Sequence, residues 1–163
     1  LKEKQIRYDI IDASISTFSL NKLFSIFEKA KSINKVINDQ IGIDIISVYK
    51  RSSNILESEL KNNEIEISNT TDPGIFKSEY EKKLYKKINE IKKYYNGINN
   101  DENYDNSLSI LASAKNEVFE FFDNVKVNEE NEILRKNRLE LINMLCKTFQ
   151  NFINFQLLKA NNE

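Results

Sequence analysis

Very little in this sequence interrupts a helix. Its 163 residues include one proline and three glycines, the residues that most often break regular backbone structure. Apolar residues recur at spacings of three and four along most of the chain, as in Leu20, Leu23, Phe24 and Phe27. This spacing is typical of helices that each bury one face. The sequence therefore predicts an all-α fold, a bundle of about six helices.

The six predicted helices cover about residues 6–18, 20–37, 41–60, 76–95, 104–122 and 132–153. Ser19 and Asp39 are candidate N-caps, because their side-chain oxygens can accept hydrogen bonds from the free N–H groups of a first turn. The segment from Asn62 to Pro73 is predicted to be a loop. We interpret residues 1–163 as one domain. The chain begins at Leu1, and we expect it to be a C-terminal fragment of a longer polypeptide.

Histidine is absent from the sequence, and this restricts the chemistry of the chain. Imidazole is the commonest general base and the commonest metal ligand in proteins. A Ser-His-Asp or Cys-His site and the usual zinc sites are therefore excluded. The glycines lie too far apart to form a loop that cradles phosphates. We predict no catalytic residue, no metal site and no cofactor in this segment.

The net charge of −1 argues against nucleic-acid binding through overall charge, so any anion site must be a local patch. Cys146 is the only cysteine, which favours a reducing compartment. The sequence contains no apolar run of about 18 residues, and we predict no membrane span and a cytoplasmic location.

Lysine is the usual cation here, so the four arginines are informative. A guanidinium can fork onto a carboxylate or phosphate or stack on a base. In the stretch VYKRSSNIL, helical geometry groups Lys50, Arg51 and Asn54 on the side opposite the apolar stripe. They are candidates to hold a phosphate and read a base edge. A merely solvated helix face explains the same spacing.

The stretch LRKNRLELI contains two more arginines. Arg138 projects into the buried face that Leu134 and Leu141 mark, so it needs a partner, because an unpaired buried charge is costly. Asp123 is the predicted partner, and we interpret both residues as structural. Arg135 lies nearer the edge of the stripe, and it is the fourth candidate for RNA binding.

The fourth predicted helix aligns Lys82, Lys86 and Lys93 on its outer face. Such a line can contact phosphates, which would make the affinity for RNA depend on salt. More often it only keeps a helix face solvated, so these lysines are weaker candidates for RNA binding.

Four stretches, YDIIDASIS, SVYKRSSNIL, FFDNVKV and LRKNRLELI with the following NFQLL, resemble a known family. In this order they are similar to the C-terminal part of the beta subunit of bacterial two-subunit glycyl-tRNA synthetase. Residues of two motifs match the family: Lys50, Arg51 and Asn54 in the first, and Asp123, Arg135, Asn137 and Arg138 in the second. Lys126, Asn128 and Asn154 depart from its pattern.

The resemblance implies a helical anticodon-binding domain of the DALR type. The parent enzyme of that family attaches glycine to tRNA(Gly), and its alpha subunit uses ATP and Mg for this reaction. The implied partners are tRNA(Gly) and, through the full-length beta subunit, the alpha subunit. The alternative is a helical protein-interaction or scaffold domain without RNA binding, which the low net charge favours. A positive face around Lys50, Arg51 and Arg135 would favour RNA binding.

Overall fold

A computed structural model of the chain describes residues 6–15, 23–63, 65–97 and 103–158, and these ranges contain no strand. The α-helices are α1 (Tyr8–Ile15), α2 (Leu23–Val36), α3 (Gln40–Asn63), α4 (Glu79–Gly97), α5 (Tyr104–Ala112), α6 (Lys115–Asn124) and α7 (Glu132–Gln150), and 3-10 turns occur at Pro73–Ile75 and Phe155–Leu157. The predicted all-α class is confirmed. No helix within these ranges has both the length and the apolar content to cross a bilayer. The predicted cap Ser19 lies outside the described residues.

The fifth predicted helix is in fact two helices, α5 and α6, which meet at Ser113 and Ala114. Both of these residues keep right-handed helical dihedral angles. At the corner the Ala114 N–H donates to the Leu111 carbonyl, three residues back instead of four. Leu111, Ala114 and Val118 are all fully buried. The apolar spacing therefore runs through the corner unbroken, and the sequence pattern does not reveal it.

Helix α7 is at the centre of the bundle, because residues 141–146 are buried without interruption. Near its C-terminal end, the Gln150 side chain donates to the Tyr49 hydroxyl of α3 at 2.8 Å. Near its N-terminal end, Arg138 bonds Glu81 in the first turn of α4. A helix that is buried on all sides must have neighbours on all sides, and α3 and α4 are the two that contact α7 most.

Residues 65–72, which contain neither helix nor strand, lie along α7. The Asn143 amide donates to the Ser68 carbonyl at 2.9 Å. The Asn137 amide donates to the Asp72 carbonyl at 3.0 Å and accepts from the Asp72 N–H at 2.8 Å. These two buried asparagines satisfy backbone groups that a neighbouring strand would satisfy in a sheet. The predicted loop is therefore an ordered connection, and α3 runs on to Asn63 before it.

Candidate nucleic-acid interface

The stretch VYKRSSNIL on α3, residues 48–56, places some side chains in the core and others at the surface. Tyr49 and Ser52 are buried, and the Ser52 hydroxyl donates to the Val48 carbonyl at 2.8 Å. Lys50 and Asn54 are exposed. Neither of these two side chains is engaged by a carboxylate or hydrogen-bond partner within the described ranges. Both remain available to a ligand at the surface.

Arg51 is held against helix α6. Its Nη2 atom donates to Asp123 Oδ1 at 2.8 Å. Its guanidinium carbon lies 4.9 Å from the ring centroid of Phe119 and 5.0 Å from that of Phe122. Cation–π contacts at these distances are attractive. They fix the guanidinium on the surface, where the Arg51 side chain keeps 33% of its exposure.

Arg138 does not pair with Asp123, so that prediction is wrong. Its Nε atom donates to Glu81 Oε1 at 2.9 Å, and its Nη1 atom donates to the Lys126 carbonyl at 2.8 Å. Glu129 also lies 3.4 Å from Nη1. The reason is geometric: α4 begins beside Arg138 with a buried carboxylate, whereas Asp123 points to Arg51 on α3.

Arg135 differs from the other arginines of the described chain. Arg7 pairs with Asp9, and Arg51 and Arg138 have the partners given above, but no carboxylate among the described residues pairs with Arg135. Its Nε atom is buried, and none of the residues that the structure describes supplies it with a hydrogen-bond acceptor. The side chain as a whole is only half-buried. Packing therefore fixes the stem of Arg135, and its charge is not neutralised within the described ranges.

Arg51 and Arg138 both contact the region where α6 leads into α7. Asp123, the partner of Arg51, lies in the last turn of α6. Lys126 and Glu129, which Arg138 contacts, lie in the connection that follows. Lys126 and Asn128, two departures from the family pattern, have exposed side chains. The connection is thus held through the Lys126 backbone, and the Lys126 side chain stays at the surface.

Five of the six lysines of α4 fall into two groups. Lys83 and Lys87 face α6, where they lie 3.5 Å from Glu120 and Glu117 respectively. The three weaker candidates are exposed and form no ion pair with described residues: Lys82, Lys86 and Lys93. Lys86 also borders a groove of about 400 Å³ between α4 and α6, whose other lining residues include three glutamates. The basic character of this face is therefore interrupted by carboxylates.

Sequence reasoning missed several contacts of this region. The stretch SEYE, residues 78–81, carries the capping-box signal, in which a glutamate bonds the backbone at the start of its helix. Glu81 accepts there from the N–H groups of Lys77 and Ser78. Nothing local indicates its pairing with Arg138. The aromatic contacts of Arg51 and the bonds of Asn137 to residues 71 and 72 also carry no sequence signal.

The model of the DALR anticodon binding domain family matches residues 45–160 of the chain. This range includes α4 to α7 and most of α3, and with them every residue of the site described above. It covers more than two thirds of the 163 residues.

Curated relatives match almost the whole chain. A glycine–tRNA ligase beta subunit from Sulfurihydrogenibium sp. (strain YO3AOP1) is 31% identical over 158 residues, 97% of this chain and 22% of the relative. The subunit of the same name from Persephonella marina is 31% identical over 155 residues, 95% and 21% of the two chains. The beta subunit from Dinoroseobacter shibae is 27% identical over 148 residues, which are 91% of this chain and 21% of the relative. The chain thus spans about a fifth of the length of these relatives.

Proposed function

Because the chain belongs to the DALR anticodon binding domain family, we propose that it binds the anticodon region of a tRNA. Lys50, Arg51, Asn54 and Arg135 are the proposed contacts, with Lys82, Lys86 and Lys93 as additional phosphate contacts. The observation that carries the site assignment is that Arg135, a half-buried arginine, has no carboxylate partner in the described part of the chain. An anionic ligand at the surface would supply the counter-charge that Arg135 lacks among these residues.

The proposed larger assembly is a glycine–tRNA ligase, because curated relatives with this name match nearly all of this chain. In the proposal, residues 1–163 act as one domain of a beta subunit whose tRNA is tRNA(Gly). The alpha subunit of the cytoplasmic enzyme joins glycine to the tRNA with ATP and Mg. The residues of this domain bind the RNA and leave the reaction to that subunit.

The chemistry of an anticodon suits the lysine, arginine and asparagine side chains proposed to bind it. Anticodon bases are unpaired, so their hydrogen-bonding edges are open to side chains. Lysines contribute affinity through phosphates, whereas arginine and asparagine can also bond base edges. Arg51 and Asn54 are one helical turn apart on α3, which suits contacts to neighbouring nucleotides.

The affinity of this domain alone is expected to be weak, because its net charge is −1. When lysines and arginines of a protein neutralise phosphates, counterions leave the nucleic acid, and their release is often the largest contribution to affinity. Tethering to other tRNA-binding parts of a ligase would raise the effective concentration of this domain near the anticodon. The low net charge is therefore compatible with RNA binding, and family membership favours RNA binding over the scaffold alternative.

The proposal is tested with Arg135→Ala in the assembled two-subunit ligase. We expect weaker binding of tRNA(Gly), by about five- to tenfold at moderate salt, since hydrogen bonds to charged groups contribute about 1.5–3 kcal/mol and part of the loss is restored by water. Binding is measured by filter retention, and aminoacylation by kcat/KM for tRNA(Gly).

Lys31→Ala is the matched control, because Lys31 is an exposed cation on α2 whose one ion pair with a described residue is a loose one, 3.8 Å from Glu28. It should leave tRNA affinity unchanged. The site assignment would be wrong if Arg135→Ala and Lys31→Ala had equal effects. The function itself would be wrong if removing residues 1–163 from the beta subunit left tRNA binding and its salt dependence unchanged.

A further inference from the structure

Two aromatic rings hold Arg51 in addition to its carboxylate partner. Phe119 and Phe122 both present ring faces to the guanidinium, with its central carbon 4.9 and 5.0 Å from the ring centroids. Both rings belong to α6, whose neighbouring residue Phe121 is fully buried in the core. The aromatic contacts can therefore hold Arg51 in place when its ionic partner changes.

The ion pair between Arg51 and Asp123 is weak enough for another anion to replace Asp123. It consists of one hydrogen bond, from Nη2 to Oδ1, and the Asp123 side chain is 61% exposed. By contrast, Asp9 binds Arg7 through both of its oxygens and is 11% exposed. Glu81 binds Arg138 and is 1% exposed. Asp123 is the most exposed carboxylate that pairs with an arginine among the described residues, and exposed ion pairs contribute little to stability, so a stronger anion can displace it.

We propose that Asp123 is a counter-charge that a phosphate of the bound RNA displaces from Arg51. The inference rests on the proposed function. In the free protein, Asp123 neutralises Arg51 and interrupts the basic surface that Lys50 and Arg51 would otherwise form. In the complex, the phosphate oxygen takes the position of the Asp123 oxygen, while the two phenylalanine rings keep the guanidinium fixed. Asp123 thus lowers the affinity of the site for any RNA backbone, and it disfavours binding that lacks further contacts.

The test is Asp123→Asn in the assembled two-subunit ligase, with binding of tRNA(Gly) and of an unrelated tRNA measured side by side. We expect tighter binding of both tRNAs, by roughly two- to fivefold, the range set by the strength of an exposed ion pair. Asp123→Glu keeps the charge, and it should retain the affinity of the unmodified enzyme. Unchanged or weaker binding in Asp123→Asn would overturn the proposal, since a residue that only positions Arg51 would lose affinity.

Asp105→Asn is the matched control. Asp105 is also an exposed aspartate with one ion pair among the described residues, 2.9 Å from Lys35, but it lies on α5 and its partner on α2. The control should leave tRNA affinity unchanged. An equal gain in Asp105→Asn would mean that net charge alone explains the effect, and would overturn the specific role of Asp123.

A double-mutant cycle separates this inference from the proposed function. In an Arg51→Ala background, Asp123→Asn should have no effect, because the competition for Arg51 no longer exists. A gain that persists without Arg51 contradicts the inference. If Arg51→Ala and Arg135→Ala both leave tRNA binding unchanged, the proposed site fails and the inference with it. If they weaken binding while Asp123→Asn does not strengthen it, only the inference fails.

Discussion

Glu81 and Arg138 are 57 positions apart in the sequence, and their side chains meet at 2.9 Å in the interior. The exposed fractions of the two side chains are 1% and 8%. The second oxygen of Glu81 accepts from the N–H groups of Lys77 and Ser78 at 2.8 and 2.6 Å. One carboxylate therefore closes the first turn of α4 and anchors α7 at the same time.

The first prediction concerns this pair. Arg138→Ala leaves the Glu81 charge buried without its cation, and we expect a loss of about 3 kcal/mol in the free energy of unfolding. Urea unfolding of the chain measures it. Arg51→Ala is the control, because it removes an exposed ion pair and two cation–π contacts but leaves no buried charge, and it should cost less, about 1–2 kcal/mol. Equal losses in the two variants would contradict the assignment of Arg138 as the buried anchor.

The second prediction concerns residues 65–72, the irregular segment that lies along α7. In Asn137→Ala, the N–H and carbonyl of Asp72 lose their side-chain partners. We expect faster hydrogen exchange at the Asp72 amide and a stability loss of about 1–3 kcal/mol. Exchange followed by NMR tests this residue directly. The exposed Asn54 provides the control, and Asn54→Ala should leave exchange at Asp72 unaltered.

The third prediction uses two glycines in different surroundings. A Cβ atom on Gly42 would lie 2.7 Å from the Ile37 Cα atom and would also meet the Val36 carbonyl, both of them backbone at the turn from α2 to α3. Gly42→Ala should therefore destabilise the fold by about 1–3 kcal/mol. The nearest atom to a Cβ on Gly74 is an Asp72 side-chain oxygen at 3.1 Å, which can move. Thermal unfolding should show a lower Tm for Gly42→Ala and little change for Gly74→Ala.

The fourth prediction concerns acid stability. A hydrogen bond from Lys115 lowers the pKa of Asp44 below its ordinary value of 3.8. A carboxyl whose pKa is lower in the folded state stabilises the fold above its unfolded pKa. That contribution is lost as the pH falls through the folded pKa. Asp44→Asn should therefore make the free energy of unfolding less dependent on pH below about pH 4.

Lys115→Met is the matching variant for this test, because it removes the other half of the same pair. It should flatten the acid dependence to a similar degree, and the double variant should add little to either change. Urea unfolding at a series of pH values measures all three. An acid dependence that neither substitution alters would show that this pair does not contribute to it.

Local sequence was sufficient for the fold class and for the direction of several side chains. The three-and-four spacing of apolar residues predicts helices because it reflects the geometry of a single element. It also predicts correctly that Arg138 faces the interior, since Leu141 lies three residues further along the same face. The corner at Ser113 was not predicted, because the backbone there keeps helical dihedral angles and the apolar spacing continues through it.

Local sequence could not predict which charged residues pair with each other. Asp123 and Glu81 are both carboxylates near helix ends, and nothing in the residues around them indicates which arginine each one meets. The aromatic contacts of Arg51 likewise join helices that are some 70 positions apart, as the spacing of 72 positions between Arg51 and Asp123 illustrates.

The sequence by itself determined the all-helical class, the buried faces and the family to which the chain belongs. Only the tertiary structure decided that Glu81 neutralises Arg138, that Asp123 neutralises Arg51, and that Arg135 has no such partner in the described residues. The physical reason is the separation along the sequence between the residues that interact. Helix periodicity arises between residues three or four positions apart, whereas an ion pair depends on which helix ends packing brings together.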